Sequence, residues 1–278
     1  MGQFWLDCPV TASHPSGARP PASSTPALEA DYQGAARHTP GSSPATHVRD
    51  ARLALLNDLI PGLFTAKACL DIGCNAGFVS CQLAFDFDAA SVTGVDIDPY
   101  LVRQAELLLR RRSSRVHPTT QESRLAVDYF PISAVVQHGC RPNPTFAPAS
   151  SKPAPVSFVS ADYVVSASPD TAGPHDVILA LSVTKWLHLE HGDQGLVNFF
   201  AKCSSSLVPG GLFVLEPQPW SSYEKAVKKA KAPHFQPRLK TLNLRPETCF
   251  TDLLERQGLT LVATSEALPR RIIVYRKE

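Results

Sequence analysis

A seven-stranded α/β sheet, mostly parallel with an antiparallel last strand and helices on both faces, is the fold this sequence predicts. Three observations predict it. Short apolar runs alternate with helical patterns from about residue 68 onward. The turn Asp71-Ile72-Gly73-Cys74-Asn75-Ala76-Gly77 joins a buried run to a helix. Two apolar runs separated by a Pro-containing turn close the chain.

Residues 1–46 are rich in Pro, Ser, Ala and Gly and cannot offset their ordering entropy, so a mostly disordered tail is expected there and a single domain over 47–278. Leu53, Leu55, Leu56, Leu59 and Ile60 form a helical stripe that Pro61-Gly62 ends. Ala68–Ile72 reads as a buried strand, Phe78–Phe85 as a helix, Ser91–Ile97 as a second strand, and Pro99–Arg112 as a helix opened by Asp98 and Pro99. A Pro/Ser-rich insertion occupies 113–155, with one short apolar piece around Tyr129–Val136. Strands resume at Val156–Val159, Asp176–Leu181 and Leu212–Leu215, with a helix over Gln194–Leu207. A helix over Glu247–Gln257 and a hairpin of Leu259–Ala263 with Arg271–Tyr275 follow.

The totals exclude some classes. A chain of 278 residues with 44% apolar content supports one sizeable core, and a net charge of +2 is too small to identify a nucleic-acid partner, so any basic surface is local. Cys8, Cys69, Cys74, Cys81, Cys140, Cys203 and Cys249 are odd in number and never spaced Cys-x-x-Cys, which argues against a zinc ribbon or disulfide scaffold and for a reducing compartment. No apolar run approaches the roughly 18 residues of a membrane span, so a soluble protein is expected.

The glycine loop keeps Gly73 and Gly77 but places Asn75 where a dinucleotide fingerprint has its middle glycine. That glycine admits a pyrophosphate. S-adenosylmethionine (SAM) has none, and its amino-acid end suits an acidic, amide-lined pocket, so Asp71, Gly73, Cys74 and Asn75 favour SAM over a nicotinamide dinucleotide. About 25 residues after Asp71, Asp96 ends the second strand, where a carboxylate accepts from both ribose hydroxyls; Asp96 and Asp98 would equally serve as helix caps. Asp162-Tyr163, ending the third strand, offers a carboxylate for an adenine amino group and a ring for the base, or else a loop cap and a core tyrosine. Leu207-Val208-Pro209-Gly210-Gly211 resembles the turn before the fifth strand of class I methyltransferases, the Rossmann-like fold expected here.

Two further segments follow adjacent central strands: Leu181-Ser182-Val183-Thr184-Lys185-Trp186-Leu187-His188-Leu189 and Glu216-Pro217-Gln218-Pro219-Trp220-Ser221-Ser222-Tyr223. With Asp71–Asn75, Asp96-Ile97-Asp98, Tyr129-Phe130-Pro131 and His191-Gly192-Asp193, they resemble the methylphosphate capping enzymes, the bicoid-interacting methyltransferase family, from about Arg52 to the C-terminus. The resemblance implies methyl transfer from SAM to the 5′ γ-phosphate of a small noncoding RNA, or to a 5′ monophosphate in one branch. It implies that Gly73, Cys74, Asn75, Asp96, Ile97, Tyr163 and Leu181 line the cofactor, with Asp162 standing where the capping enzyme has Asn. Arg52 would close over the methionine carboxylate, and Tyr32 and Arg37 would belong to a segment folding over SAM and RNA.

A phosphate oxygen is already anionic near neutral pH, so attack on a sulfonium methyl needs alignment and charge compensation rather than a general base. Lys185, Arg37 and His188 are the candidates to hold phosphate. Trp186 and Trp220 would stack on the first nucleotide or wall the pocket, and Glu216 and Gln218 would bind nearby hydroxyls or orient the basic groups. Each has a plainer reading: Trp220 as core, Lys185 as a solvated cation, Glu216 as a loop cap. His188 and His191 lack a third ligand type nearby, so no metal is expected. Lys225, Lys228, Lys229 and Lys231 would follow an RNA backbone or form a solvated face. A monomeric catalytic unit without membrane association is expected, with ribonucleoprotein proteins as further partners and, by the resemblance, nuclear residence. Two alternatives stay open: an RNA-binding assembly factor that keeps the fold but has weak turnover, and a methyltransferase with a non-RNA acceptor.

Overall fold

The computed structural model describes residues 50–113, 115–116, 127–128, 155–228 and 232–278. Seven strands form one sheet: β1 (Ala68–Ile72), β2 (Ser91–Asp96), β3 (Val156–Ser160), β4 (His175–Leu181), β5 (Leu207–Glu216), β6 (Leu259–Ser265) and β7 (Ile272–Lys277), in the order β3-β2-β1-β4-β5-β7-β6. β7 is antiparallel to both β5 and β6, and the remaining pairs are parallel. The helices are α1 (Ala51–Leu59), α2 (Phe78–Asp86), α3 (Pro99–Ser113), α4 (Thr184–Ser206), α5 (Trp220–Ala226), α6 (Gln236–Leu239) and α7 (Phe250–Glu255).

Strand periodicity divides the core between the two faces of the sheet. On β4, Ile178 and Ala180 point to one face and Val177, Leu179 and Leu181 to the other; on β5, Phe213 and Leu215 oppose Val214 in the same way. Leu196, Phe199, Phe200 and Cys203 of α4 cover the first face. Leu53 and Leu56 of α1 with Val79 and Leu83 of α2 cover the second. A strand covered on both faces reads as a continuous apolar run, which is why Val177–Leu181 was legible without alternation.

Two expectations change. The Pro-Gly-Gly segment lies inside the β5 ladder: Leu207 pairs with His175 and the register shifts before Val177 pairs with Leu212. A Cβ on Gly211 would meet the carbonyl oxygen of Val208 at 2.8 Å, so this irregularity requires glycine. The helix expected from Gln194 is present, but an unexpected helical segment from Thr184 precedes it, the two meeting at Gly192, where φ is 71° and ψ −172°. The tail 1–46, most of the 113–155 insertion with Tyr129-Phe130-Pro131, and Lys229 and Lys231 lie outside the described residues. Lys225 and Lys228 are exposed.

Candidate active site

At the carboxyl end of β1 the backbone alternates through the left-handed region, with φ of 75° at Gly73, 51° at Asn75 and 79° at Gly77. A Cβ on Gly73 would lie 2.6 Å from Val183 Cγ2, so this residue must be glycine on two counts. Asn75 tolerates its conformation because its own Oδ1 accepts from the Ala76 N–H at 2.7 Å. The Asp96 carboxylate ties the loop to β2: Oδ2 accepts from the Asn75 N–H at 2.9 Å and Oδ1 from the Asp98 N–H at 3.0 Å.

Asp71 has a different role. It is 2% exposed and accepts from Ser80 Oγ at 2.6 Å, anchoring α2 beneath the loop rather than lining a ligand site. Burial raises its pKa from 3.8 to about 6, against the lowering effect of the Ser80 hydrogen bond. The folded-state value lies above the unfolded one, so its contribution to stability is full below pH 3.8 and is lost as pH rises through about 6. Asp71→Asn keeps an acceptor for Ser80 without the ionisation. The Tm of the variant minus that of the parent should therefore climb across this window and then level off; parallel Tm–pH curves would contradict the assignment.

A cavity of about 290 Å³ opens in front of the loop. Of the residues expected from sequence, Gly73, Asn75, Asp96, Ile97, Asp162, Tyr163, Leu181, Trp186 and Gln218 line it. Tyr32 and Arg37 lie outside the described residues. The phase of α4 accounts for two corrections. Val183, Trp186, Leu187, Glu190 and His191 recur with helical spacing and face the cavity. Lys185 and His188 share the opposite face, against α5. Lys185 is fully buried, its Nζ donating to Ser222 Oγ at 3.0 Å and lying 4.4 Å from the Trp186 ring centroid. His188 is also fully buried, with Nε2 2.8 Å from Asp193 Oδ1 and Nδ1 3.4 Å from the Tyr223 hydroxyl. Burial lowers its pKa, although the Asp193 hydrogen bond pulls the other way. Asp193 in turn accepts from the backbone N–H groups of Asn243 and Leu244, so His188 braces the loop before α7 instead of holding phosphate.

Glu216 and Gln218 hold the rim of the cavity from below. Ser182 sits at φ 60°; its hydroxyl donates to Glu216 Oε2, and its carbonyl accepts from Gln218 Nε2. Arg270, from the β6–β7 turn, donates to Ser182 Oγ at 2.6 Å. Gln218 Oε1 also accepts from the Lys185 N–H at 3.1 Å. Arg52 does not line the cavity: it donates to Glu216 Oε2 at 3.0 Å and makes paired contacts with Asp50 at 2.6 and 2.9 Å. Cys74 is 2% exposed, with its Cβ beside Gly94 of β2, and does not line the cavity. Tyr163 is a core ring rather than a stacking platform, 2% exposed and edge-on to Phe199 at 5.9 Å. Trp220 stacks on Tyr223 at 4.9 Å, with Arg245 Cζ 3.4 Å from its centroid, and does not line the cavity.

Sequence reasoning did not assign Val183, Leu187, Glu190, His191, His234 or Phe235 to the cavity. Helical spacing from Thr184 onward was the signal for the first four. Among the described residues no group of three or more His, Cys, Asp or Glu is placed to hold a metal ion.

Comparison with known proteins places this geometry. The model of the family described as Bicoid-interacting protein 3 (Bin3) matches residues 175–277, and a model described as methyltransferase domain matches 70–138. A protein of Arabidopsis thaliana named as a probable RNA methyltransferase is 34% identical over 234 residues, covering 77% of this chain and 71% of that protein. The chain belongs to the Bin3 family. The 7SK snRNA methylphosphate capping enzyme of Mus musculus is 37% identical over 198 residues, which are 63% of this chain and 29% of that enzyme. The U6 snRNA methylphosphate capping enzyme Amus of Drosophila melanogaster is 32% identical over 208 residues, 74% of this chain and 58% of that enzyme. The chain thus spans less than two thirds of either capping enzyme.

The fold of this Bin3 family member is the class I methyltransferase fold, and its cofactor is SAM. The residues present fit that group. Asp96 offers an acceptor pair for a diol, Asp162 a second carboxylate, and Ile97, Leu181, Val183 and Leu187 apolar walls.

Proposed function

We propose that the chain transfers a methyl group from SAM to the 5′-terminal phosphate of a small noncoding RNA. The carrying observation is that one cavity gathers two chemically distinct sets of side chains. Asn75, Asp96, Ile97 and Asp162 suit a nucleoside, while Trp186, Gln218, His234 and Phe235 are aromatic and polar groups suited to a nucleotide. The names of the Bin3 relatives support an RNA 5′ end as the acceptor.

When bound, SAM supplies an electrophilic sulfonium methyl. The protein's part is to align an oxygen that is already anionic and to moderate its charge, with no proton to remove. Trp186 and Phe235 offer ring surface for the first base, and His234 offers an imidazole at the cavity wall. The buried Lys185 side chain lies against the Trp186 ring, its Nζ 4.4 Å from the centroid, and holds that ring in place. Arg37 completes the proposal as a phosphate-binding cation, and a monomeric unit working in the nucleus with ribonucleoprotein proteins belongs to the same reading.

The test is methyl transfer from labelled SAM to one RNA carrying a 5′ triphosphate, monophosphate or hydroxyl end. Transfer to a phosphorylated end and none to the hydroxyl end is expected. Equal transfer to all three would place the acceptor elsewhere, and RNA binding without transfer to any would favour the assembly-factor reading.

A further inference from the structure

We infer that His191 is a positioning residue that makes the cavity selective for adenine, by fixing the carboxylate of Asp162. The inference rests on the reading of this cavity as the SAM site and adds to it a residue to which no role was assigned.

Asp162 and His191 both line the cavity, and His191 Nε2 lies 2.9 Å from Asp162 Oδ2, with side chains 18% and 20% exposed for the histidine and aspartate. The other carboxylate oxygen, Oδ1, accepts from the Val164 N–H at 3.0 Å. The carboxylate plane is thus held at both ends, by its own loop and by α4. The Ala161 N–H donates to the Asp96 carbonyl at 2.9 Å, so Asp162 sits one residue beyond the point where its loop is joined to the expected ribose-binding strand end. Exposed Ile97 lines the cavity between these two carboxylates in sequence, an apolar surface for a flat base.

The position of His191 is built into the fold. It precedes the Gly192 kink, and a Cβ on Gly195 would lie 2.0 Å from His191 Cβ, so the space it occupies exists only because residue 195 has no side chain. Further along α4, Lys202 Nζ donates to the carbonyls of Tyr163 at 2.5 Å and Ser166 at 2.6 Å. α4 therefore splints the loop at two points, through the backbone by Lys202 and through the Asp162 side chain by His191.

The chemistry follows from donor and acceptor inventory. A carboxylate only accepts, so it favours a purine with a 6-amino group over one with a 6-oxo group, and the preference depends on how rigidly the oxygens are aimed. The histidine N–H supplies that rigidity and offsets part of the carboxylate charge. Without it Asp162 keeps its charge but loses one of its two anchors.

The experiment is calorimetric titration of the chain with S-adenosyl-L-homocysteine (SAH) and with its 6-oxo counterpart, S-inosyl-L-homocysteine. His191→Ala should weaken SAH binding by about 10-fold while changing the 6-oxo ligand little, so that the preference narrows by a similar factor. His191→Gln, whose carboxamide N–H can reach the same oxygen, should restore the preference. In an Asp162→Ala background His191→Ala should have no further effect on it. An unchanged preference in His191→Ala, or an equal loss for both ligands, would overturn the inference and leave the SAM reading standing. Failure of the unaltered chain to bind SAH would overturn both.

Discussion

Asp96→Ala is expected to weaken SAH binding by about 100-fold or more in a chain that still folds, with a fall in Tm of several degrees from the loss of its two backbone hydrogen bonds. One carboxylate performs two tasks. Its oxygens already hold the Asn75 and Asp98 N–H groups at 2.9 and 3.0 Å, and the remaining lone pairs face a cavity suited to a ribose diol. Burial raises the Asp96 pKa, against the lowering effect of its backbone hydrogen bonds, so ionisation is already opposed and a donor pair from the ligand would relieve it. Two hydrogen bonds to a charged acceptor at about 1.5 kcal/mol each amount to roughly 3 kcal/mol, or about 100-fold in Kd. Asp96→Asn retains the shape and one acceptor and should fall between. Calorimetry with a parallel melting curve separates this from unfolding; a loss below about 3-fold would place the diol elsewhere.

The largest stability effect is expected at Glu216. This side chain is 5% exposed, accepts from Arg52 and Ser182, and shares Ser182 with Arg270. Glu216→Ala removes a carboxylate against the Arg52 guanidinium, itself 6% exposed, and releases the hydroxyl of a left-handed residue at the cavity rim. Breaking a buried pair from one side costs about 3–5 kcal/mol when the remaining charge is stranded, and because Arg52 keeps Asp50 the lower end is expected. In a domain of this size that is roughly a 10 °C fall in Tm. Glu216→Gln preserves an acceptor and should cost less. Urea unfolding of both variants checks the ranking, and a loss under about 1 kcal/mol for Glu216→Ala would show that the network carries no net stability.

These two residues illustrate what the sequence made legible. Asp96 was readable because its function depends on local placement at the end of an apolar strand, before a helix opened by Asp98-Pro99. Glu216 was recognisable as unusual, but its partners are 34 and 164 positions away and no periodicity connects them. Arg270 gave no signal, since its contact with Ser182 spans 88 positions. The sheet was legible throughout because strand burial imposes alternation or a continuous apolar run. The first half of α4 was not, because the turn composition of His191-Gly192-Asp193, which does break the helix at Gly192, hid the helical segment ahead of it. That boundary decided the roles of Lys185 and His188: without a helical phase, both were read as facing the ligand. Once Thr184 opens the helix, Val183, Leu187 and His191 fall on the cavity side, with Lys185 and His188 behind them.

The account stands most directly on where the methyl group arrives. RNA with a 5′ triphosphate or monophosphate, incubated with the purified chain and SAM, can be digested to nucleotides and resolved by mass spectrometry. The account predicts the added methyl on the terminal phosphate of the first nucleotide, removed together with that phosphate by phosphatase or pyrophosphatase treatment. A methyl retained on a base or ribose after the end group has been removed would contradict it.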